Sequence, residues 1–157
     1  MVVRAIITRL QSDLALYAKA ADAARAEATH EQSKPENKYD TRGLEASYLA
    51  RGQSRQATET RAAIEQFETL ALTLREFGPG DAIAVGALVE LRSAKERAFY
   101  LLGPRAGGTE VKVAGDEIFV LTSQSPLGQQ LLGRRAGEWL PLDFGGQRRE
   151  HQVVSVR

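Results

Sequence analysis

The feature that most constrains this chain is a heptad repeat of apolar residues in its first part. One heptad position is occupied by Val3, Leu10, Tyr17 and Ala24, and the other by Ile7, Leu14, Ala21 and Ala28. Apolar residues that recur every 3.5 positions are typical of a helix that packs along one seam against a partner helix. The pattern therefore predicts a long first helix with a single apolar stripe.

A second stretch carries the same repeat less regularly. Its seam positions are Ala50, Ala57, Ile64 and Ala71, with Gln53, Thr60, Phe67 and Leu74. Antiparallel packing would pair Leu14 with Ile64 and Ala21 with Ala57, so that the chain turns near Lys38 and Tyr39. The turn is then expected within residues 31–43, at the end of arms roughly 40 Å long at about 1.5 Å per residue.

The distal half of this seam is built from small residues, namely Ala21, Ala24, Ala28, Ala50 and Ala57. A dimeric coiled coil would need large apolar side chains along its whole length. The alanines instead favour a slender hairpin that projects from the protein. A structural dimer formed through the hairpin is the alternative interpretation.

Composition excludes several classes of chemistry. The chain has no cysteine and two histidines, which argues against thiol nucleophiles, disulfides and Cys/His zinc sites. Lys and Arg total 21 against 20 Asp and Glu, so the overall charge calls for neither a nucleic-acid nor a membrane partner. No apolar run approaches the roughly 20 residues of a membrane span. We expect a soluble, cytoplasmic protein that recognises any partner locally.

Gly78, Pro79 and Gly80 mark a change of composition and end the helical pattern. We place the domain boundary there, with a helical hairpin over 1–77 and a second domain over 78–157. The second part alternates in the manner of β-strands and predicts a small antiparallel sheet with a turn at Gly145 and Gly146. Trp139 is expected in its core, and His151 in an edge or closing strand. The stretches expected to form strands are 81–92, 97–103, 110–122, 138–144 and 151–157.

One segment of the second part has the signature of a short helix. Ser125 suits the N-cap and Pro126 the first helical position, and Gly133 would end the helix. Leu127, Leu131 and Leu132 would form one apolar face. We expect this helix to cover one face of the sheet.

The segment "SPLGQQLLGRRAGEW", followed by a strand, "FGGQ" and a valine-rich strand, resembles the C-terminal domain of the bacterial Gre transcript-cleavage factors. Gly80 and Asp81 match the start of that domain, and "ENKYD" at 36–40 is similar to the family's Glu-Asn-x-x-Tyr tip, with Tyr39 one residue early. The resemblance implies an α+β protein: an N-terminal antiparallel helical hairpin followed by a small FKBP-like β domain with a short helix.

The resemblance also implies a partner and a site. Gre factors bind RNA polymerase, place the hairpin in its secondary channel and touch nascent RNA indirectly. Two tip carboxylates three residues apart help to hold a magnesium ion shared with the polymerase, since hard cations need oxygen ligands. Glu36 matches the glutamate, whereas Ser33 stands in place of the aspartate. Asp40 or Glu31 could supply the missing ligand, although Asp40 could equally cap the returning helix.

Docking is the remaining expectation. By resemblance, the partner-binding residues are Ser125, Pro126, Leu127, Gly128, Arg134 and Arg135. We expect a monomer with no cofactor of its own that is not itself an enzyme and at most stimulates cleavage by the polymerase. A non-cleaving channel regulator of the same shape and a peptide-binding, chaperone-like FKBP-fold module are the alternative functions.

Overall fold

The computed structural model describes residues 1–30, 36 and 41–157. Two long helices come first, followed by six strands with one short helix after the fourth. These elements are α1 (Val2–Thr29), α2 (Arg42–Thr73), β1 (Leu88–Arg92), β2 (Arg97–Gly103), β3 (Glu110–Val113), β4 (Asp116–Thr122), α3 (Pro126–Leu131), β5 (Trp139–Phe144) and β6 (Gln147–Val156). The α+β class and the order of helices and sheet are confirmed.

The described chain forms two compact units. One comprises residues Thr8–Ile64, and the other combines Met1–Ile7 with Glu65–Arg157. The beginning of α1 and the end of α2 thus belong to the same unit as the sheet. The domain boundary predicted at residues 77 and 78 stays a prediction about separately folding parts.

Within the unit 8–64, four of the five seam alanines are buried as the heptads predict, and Ala28 is half-buried. Ala21, Ala24, Ala50 and Ala57 all have less than a tenth of their surface exposed. The Arg25 guanidinium donates to Ser54 Oγ across the two helices at 3.2 Å. The predicted register pairs position 25 with position 53, so this hydrogen bond lies within one residue of it.

The predicted seam is wrong near the end of α2. Ala71 and Leu74 are exposed, and the helix ends at Thr73. Here packing within the other unit decides which residues are covered. Leu70 and Leu74 lie against Gly86, because a Cβ built on that glycine would come within 3.3 and 3.2 Å of their Cδ1 atoms.

The six strands form one sheet in the order β3-β4-β2-β1-β6-β5. Neighbouring strands are antiparallel except β2 and β4, which run parallel. The predicted antiparallel sheet is therefore wrong for this pair, because alternation of apolar residues predicts strands without specifying their direction. β6 lies in the interior of the sheet, between β1 and β5.

Both faces of the sheet carry buried residues. On one face, Leu91, Leu102 and Leu142 form a core together with Leu131 of α3, which confirms that the short helix covers the sheet. On the other face, the Phe67 ring lies at Gly103 and Val120, so the end of α2 covers part of the sheet there. In the described part of the chain, the β5 side of this second face is left uncovered, with Trp139 63% exposed.

The first predicted strand, 81–92, is wrong over its first half. Only Leu88–Arg92 forms β1, and Ala82 makes an isolated bridge to Arg135. Gly86 adopts a φ of 100°, which turns the chain before β1 begins. The turn predicted at Gly145 and Gly146 is confirmed, since both residues have positive φ and connect β5 to β6.

Candidate functional site

The tip of the hairpin is described only at Glu36 and from Thr41 onward. Glu36 is exposed, and Arg42 Nη2 lies 3.5 Å from its Oε1. An exposed ion pair of this kind contributes little stability and leaves the carboxylate reachable by water. Glu31, Ser33 and Asp40 lie outside the described residues. The magnesium site at Glu36 and Asp40 therefore stays a prediction.

Large apolar side chains are exposed on α2 close to the tip. Leu44, Tyr48 and Leu49 are exposed, with Tyr48 at 60%, and Leu44 and Tyr48 lie one helical turn apart. We call these three residues the distal hairpin surface. These three residues occupy positions outside the heptad seam. Large apolar residues outside a seam indicate a second contact surface, and the sequence analysis overlooked this signal. Exposed apolar groups of this size are typical of a surface that meets a partner.

The segment from Ser125 to Arg135 begins with the predicted helix cap. Ser125 Oγ accepts a hydrogen bond from Gly128 N at 3.1 Å and donates to the Thr122 carbonyl oxygen at 2.8 Å. Pro126 follows as the first helical residue. The cap and the proline are confirmed, and Ser125 has both of its hydrogen-bonding roles filled within the protein.

Two of the residues predicted to bind a partner face the interior. Gly128 is buried, and Leu127 packs partly against the core that contains Leu131. Leu132 is 46% exposed and follows the helix as its C-cap, so the predicted face of three leucines is wrong at that position. Pro126 is exposed and remains available to a partner.

The two arginines of the segment also have intramolecular partners. Arg134 Nη1 lies 3.5 Å from Glu138 Oε2, and Arg135 Nη1 donates to the Gly80 carbonyl oxygen at 2.6 Å. Both side chains are nevertheless exposed. Arg135 thereby fastens the segment to residues 80–82, whereas Arg134 is the freer of the two to meet an acidic partner.

A cavity of about 170 Å³ opens on the face of the sheet that α3 covers. Its walls include Tyr100, Phe144 and His151, with Glu96 and Arg149 among the polar residues. His151 Nδ1 lies 2.9 Å from the Arg149 carbonyl oxygen, and its ring is 4.9 Å from that of Phe144. Burial, and to a lesser extent the charge of Glu96, raises the pKa of Tyr100, which keeps its phenol neutral.

Trp139 differs from its sequence-based expectation, and His151 meets one of its two alternatives. His151 is buried in β6, which is the closing strand of the chain but lies in the interior of the sheet and not at an edge. Trp139 is 63% exposed, not in the core. Leu140 takes the inward position next to it, because successive side chains of a strand point to opposite faces.

The structure also shows a buried acid that the sequence analysis missed. Glu90 is 6% exposed, and Arg97 Nε donates to its Oε1 at 2.8 Å. Arg92 and Arg157 lie at 3.6 and 3.9 Å from its carboxylate oxygens. Glu90 sits in an apolar strand pattern, and nothing in that pattern indicates which arginines reach it. Elsewhere, no group of three histidine or acidic side chains that could hold a metal ion occurs among the described residues.

A long helical hairpin, a sheet domain and a short helix introduced by Ser125 and Pro126 together define a Gre-like factor. The chain is 34% identical over 122 residues to the transcription inhibitor protein Gfh1 of Thermus thermophilus, covering 75% of this chain and 72% of that protein. It is 30% identical over 122 residues to Gfh1 of Thermus aquaticus, at 75% and 71% coverage. The chain belongs to the Gfh1 family of Gre-factor homologues.

The crystal structure of GreA factor homolog 1 (Gfh1) of Thermus thermophilus aligns over 96% of this chain and 94% of that chain, with 26% identity and a TM-score of 0.41. No protein-family model matches the chain. In the described part of the chain, no helix has both the length and the apolar character needed to cross a membrane.

Proposed function

We propose that this protein regulates RNA polymerase by placing its helical hairpin in the secondary channel, and that it inhibits transcription without stimulating transcript cleavage. The observation that carries the proposal is the 34% identity with a transcription inhibitor over 122 residues. Any chemistry belongs to the polymerase, and the chain is not itself an enzyme.

The dimensions of the helices support a hairpin that reaches into a channel. α1 has 28 residues and α2 has 32, so each is about 40 to 50 Å long. The buried alanines between residues 21 and 57 keep the two helices close together and the hairpin slender. The distal hairpin surface supplies apolar groups for contact with the channel wall.

The tip sequence supports inhibition over cleavage. Two carboxylates are needed to hold a shared magnesium ion, and Ser33 replaces one of them with a neutral hydroxyl. Asp40 is the acid that could compensate, at four residues from Glu36 rather than three. A single carboxylate binds magnesium weakly, so the tip occupies the channel without completing a metal site.

Assays with the organism's own polymerase test this function. We expect the wild-type protein to slow elongation and to leave cleavage of backtracked RNA at its basal rate. Ser33→Asp restores an acid pair at three-residue spacing and should raise cleavage by about tenfold or more, in a magnesium-dependent manner. Ser33→Asn is the matched control, because it has nearly the same shape as aspartate without the charge.

Two results would contradict the proposal. Strong cleavage by the wild type that is lost in Glu36→Ala or Asp40→Ala would mean that the protein is a cleavage factor with a shifted acid pair. Cleavage or inhibition that is indifferent to every tip substitution would mean that residues 31–43 are only a turn.

Docking through the Ser125 to Arg135 segment is part of the same proposal. Arg134 is its best candidate contact, because its guanidinium is half-exposed and tied only to Glu138 and a helix carbonyl. Arg135 is less suitable for a test, since its hydrogen bond to Gly80 means that a substitution would also loosen the sheet unit.

Arg134→Glu is expected to weaken binding to core polymerase by about tenfold, because it reverses a charge that faces an acidic partner. Arg148→Glu is the matched control, since Arg148 is also exposed and lies opposite an acid, Asp143, in the sheet. Binding can be measured by co-sedimentation or surface plasmon resonance. Equal affinity of Arg134→Glu and the wild type would remove this segment from the interface.

A peptide-binding module remains the second candidate function. The observation in its favour is the cavity of about 170 Å³ with aromatic walls, which is large enough for one apolar side chain. Capture of core polymerase by the wild type distinguishes the two functions. An intact Tyr100→Trp variant that still binds and inhibits polymerase would show that the cavity is not needed for regulation.

A further inference from the structure

Four side chains form a row across the uncovered face of the sheet. Trp139 of β5 pairs with Gln152 of β6, which pairs with Arg92 of β1, which in turn pairs with Arg97 of β2. Residues paired across neighbouring strands point to the same face of a sheet. We call these four residues the Trp139 row.

The row is open to solvent. Trp139 is 63% exposed, and the side chains of Arg92 and Arg97 are half-exposed. The apolar neighbours Leu91 and Leu140 are buried on the opposite face, so the core does not need Trp139 for packing. The exposed indole lies next to Gln152, with Arg92 and Arg97 on the two strands beyond it, and it contributes no packing to the core of the described chain.

Glu90 holds the arginines of this face in place. Its carboxylate contacts Arg97, Arg92 and Arg157 at 2.8, 3.6 and 3.9 Å, and Ser155 Oγ lies 3.4 Å from Oε2. Each guanidinium has five N–H donors, and one acid can occupy only a few of the fifteen. The Glu90 carboxylate therefore faces three guanidinium groups and can neutralise only one of them.

The charge is concentrated in this part of the face. Toward the β5-β6 turn, Arg148 lies opposite Asp143, and Glu150 lies opposite Pro141. The acids of that end therefore offset its single base. Asp116 and Glu117 line a pocket together with Arg97 and offset charge at the β2 end, so the positive charge of this face lies mainly at Arg92 and Arg157. The chain's overall charge of +1 conceals this distribution.

We infer that the Trp139 row, together with the arginines around Glu90, binds single-stranded RNA. Arginines oriented by a buried carboxylate suit phosphates, and an exposed indole suits an unstacked base, which a duplex does not present. Gln152 offers a donor and an acceptor on the same face, as recognition of a ribose 2′-hydroxyl requires. This inference goes beyond the proposed function, because it assigns a second ligand to the sheet unit and does not depend on the hairpin.

Trp139 is the only tryptophan in the chain, so its fluorescence reports on this surface alone. We expect saturable quenching when an unstructured RNA of about 12 nucleotides is added to the full-length protein in the absence of polymerase. With about three phosphates contacted, the logarithm of the affinity should fall against the logarithm of salt with a slope of roughly −2.

Variants locate the contact when binding is measured by anisotropy of a labelled RNA. Trp139→Ala should weaken binding by about tenfold or more, whereas Trp139→Phe should retain most of the affinity because a ring can still stack. Arg92→Gln should reduce the salt slope by about 0.7, the contribution of one phosphate contact. Arg61→Gln is the matched control, since it removes the same charge from an exposed position on α2 and should change neither quantity.

Several outcomes would overturn the inference. Absence of quenching at low salt would exclude an RNA site at Trp139, and equal affinity for polyglutamate would indicate an acidic protein partner instead. Equal affinity for DNA of the same sequence, or for duplex RNA, would refute recognition of single-stranded RNA. Circular dichroism of each variant ensures that lost binding is not lost folding. Because polymerase is absent, failure here leaves the proposed regulation of polymerase unaffected.

Discussion

Replacing Gly128 by alanine is expected to cost about 4 kcal/mol or more of unfolding free energy, enough to unfold a marginally stable sheet unit. A Cβ at this position would overlap the Thr122 carbonyl oxygen and lie 2.8 Å from Ser125 Oγ. Ser125 Oγ donates a hydrogen bond to that carbonyl oxygen and accepts the capping hydrogen bond from Gly128 N. The new methyl group can be accommodated only if the backbone moves and the cap breaks.

Urea or thermal unfolding measures this effect, and Gly52→Ala is its control. Gly52 lies within α2, and a methyl group added to it would meet no atom within 4 Å, so alanine there should add about 0.5 to 1 kcal/mol of stability. A Gly128→Ala protein that unfolds like the wild type but no longer binds polymerase would make Gly128 a partner contact, as the resemblance implies, rather than a packing residue.

Phe67→Ala is expected to cost about 3 to 5 kcal/mol, because the ring is fully buried where α2 meets the sheet. A Cβ on Gly103 would come within 2.8 Å of Phe67 Cζ and 2.9 Å of Val120 Cγ1, so the ring fills the space that this glycine leaves. Leu72→Ala on the same helix is the control. Leu72 is 89% exposed, and its loss should change stability by no more than about 0.5 kcal/mol.

The contact can be tested a second way, through coupling. Gly103→Ala alone should destabilise the protein because its methyl group meets the Phe67 ring. In a Phe67→Leu background, Gly103→Ala should lower the free energy of unfolding by less than it does in the wild type. Additive effects of the two substitutions would mean that the ring and the glycine do not share this space.

Local sequence signals predicted the elements whose packing is set by near neighbours. The heptads located both long helices because α1 and α2 cover each other's alanines, as Ala21 and Ala57 illustrate. Ser125 and Pro126 located α3 because a cap depends on the three residues that follow it. The Gly145-Gly146 turn depends only on positive φ, which glycine permits.

Features that depend on distant residues were not predictable in this way. Leu74 satisfies the heptad but lies beyond the helix against Gly86, and Trp139 satisfies an apolar strand pattern on the uncovered face. Glu90 is held by arginines of β1 and β2 and by Arg157, which follows β6, and the sequence does not state how these strands pair. For the candidate site, Glu36 and Arg134 are exposed, as a metal ligand and a partner contact must be, and their roles stay predictions. The sequence could not foresee that Gly128 is buried and that Arg135 bonds to Gly80 within the fold.

The placement of β6 determines when this protein can finish folding on the ribosome. β6 is the last strand along the chain, yet it lies between β1 and β5 and hydrogen-bonds to both. Residues 8–64 can pair as helices as soon as they leave the exit tunnel, whereas β1 must wait for a neighbour made some 60 residues later. Until then the apolar side chains of β1 and β2 are exposed in the nascent chain. Chaperones that bind exposed apolar segments are therefore expected to act mainly during this interval.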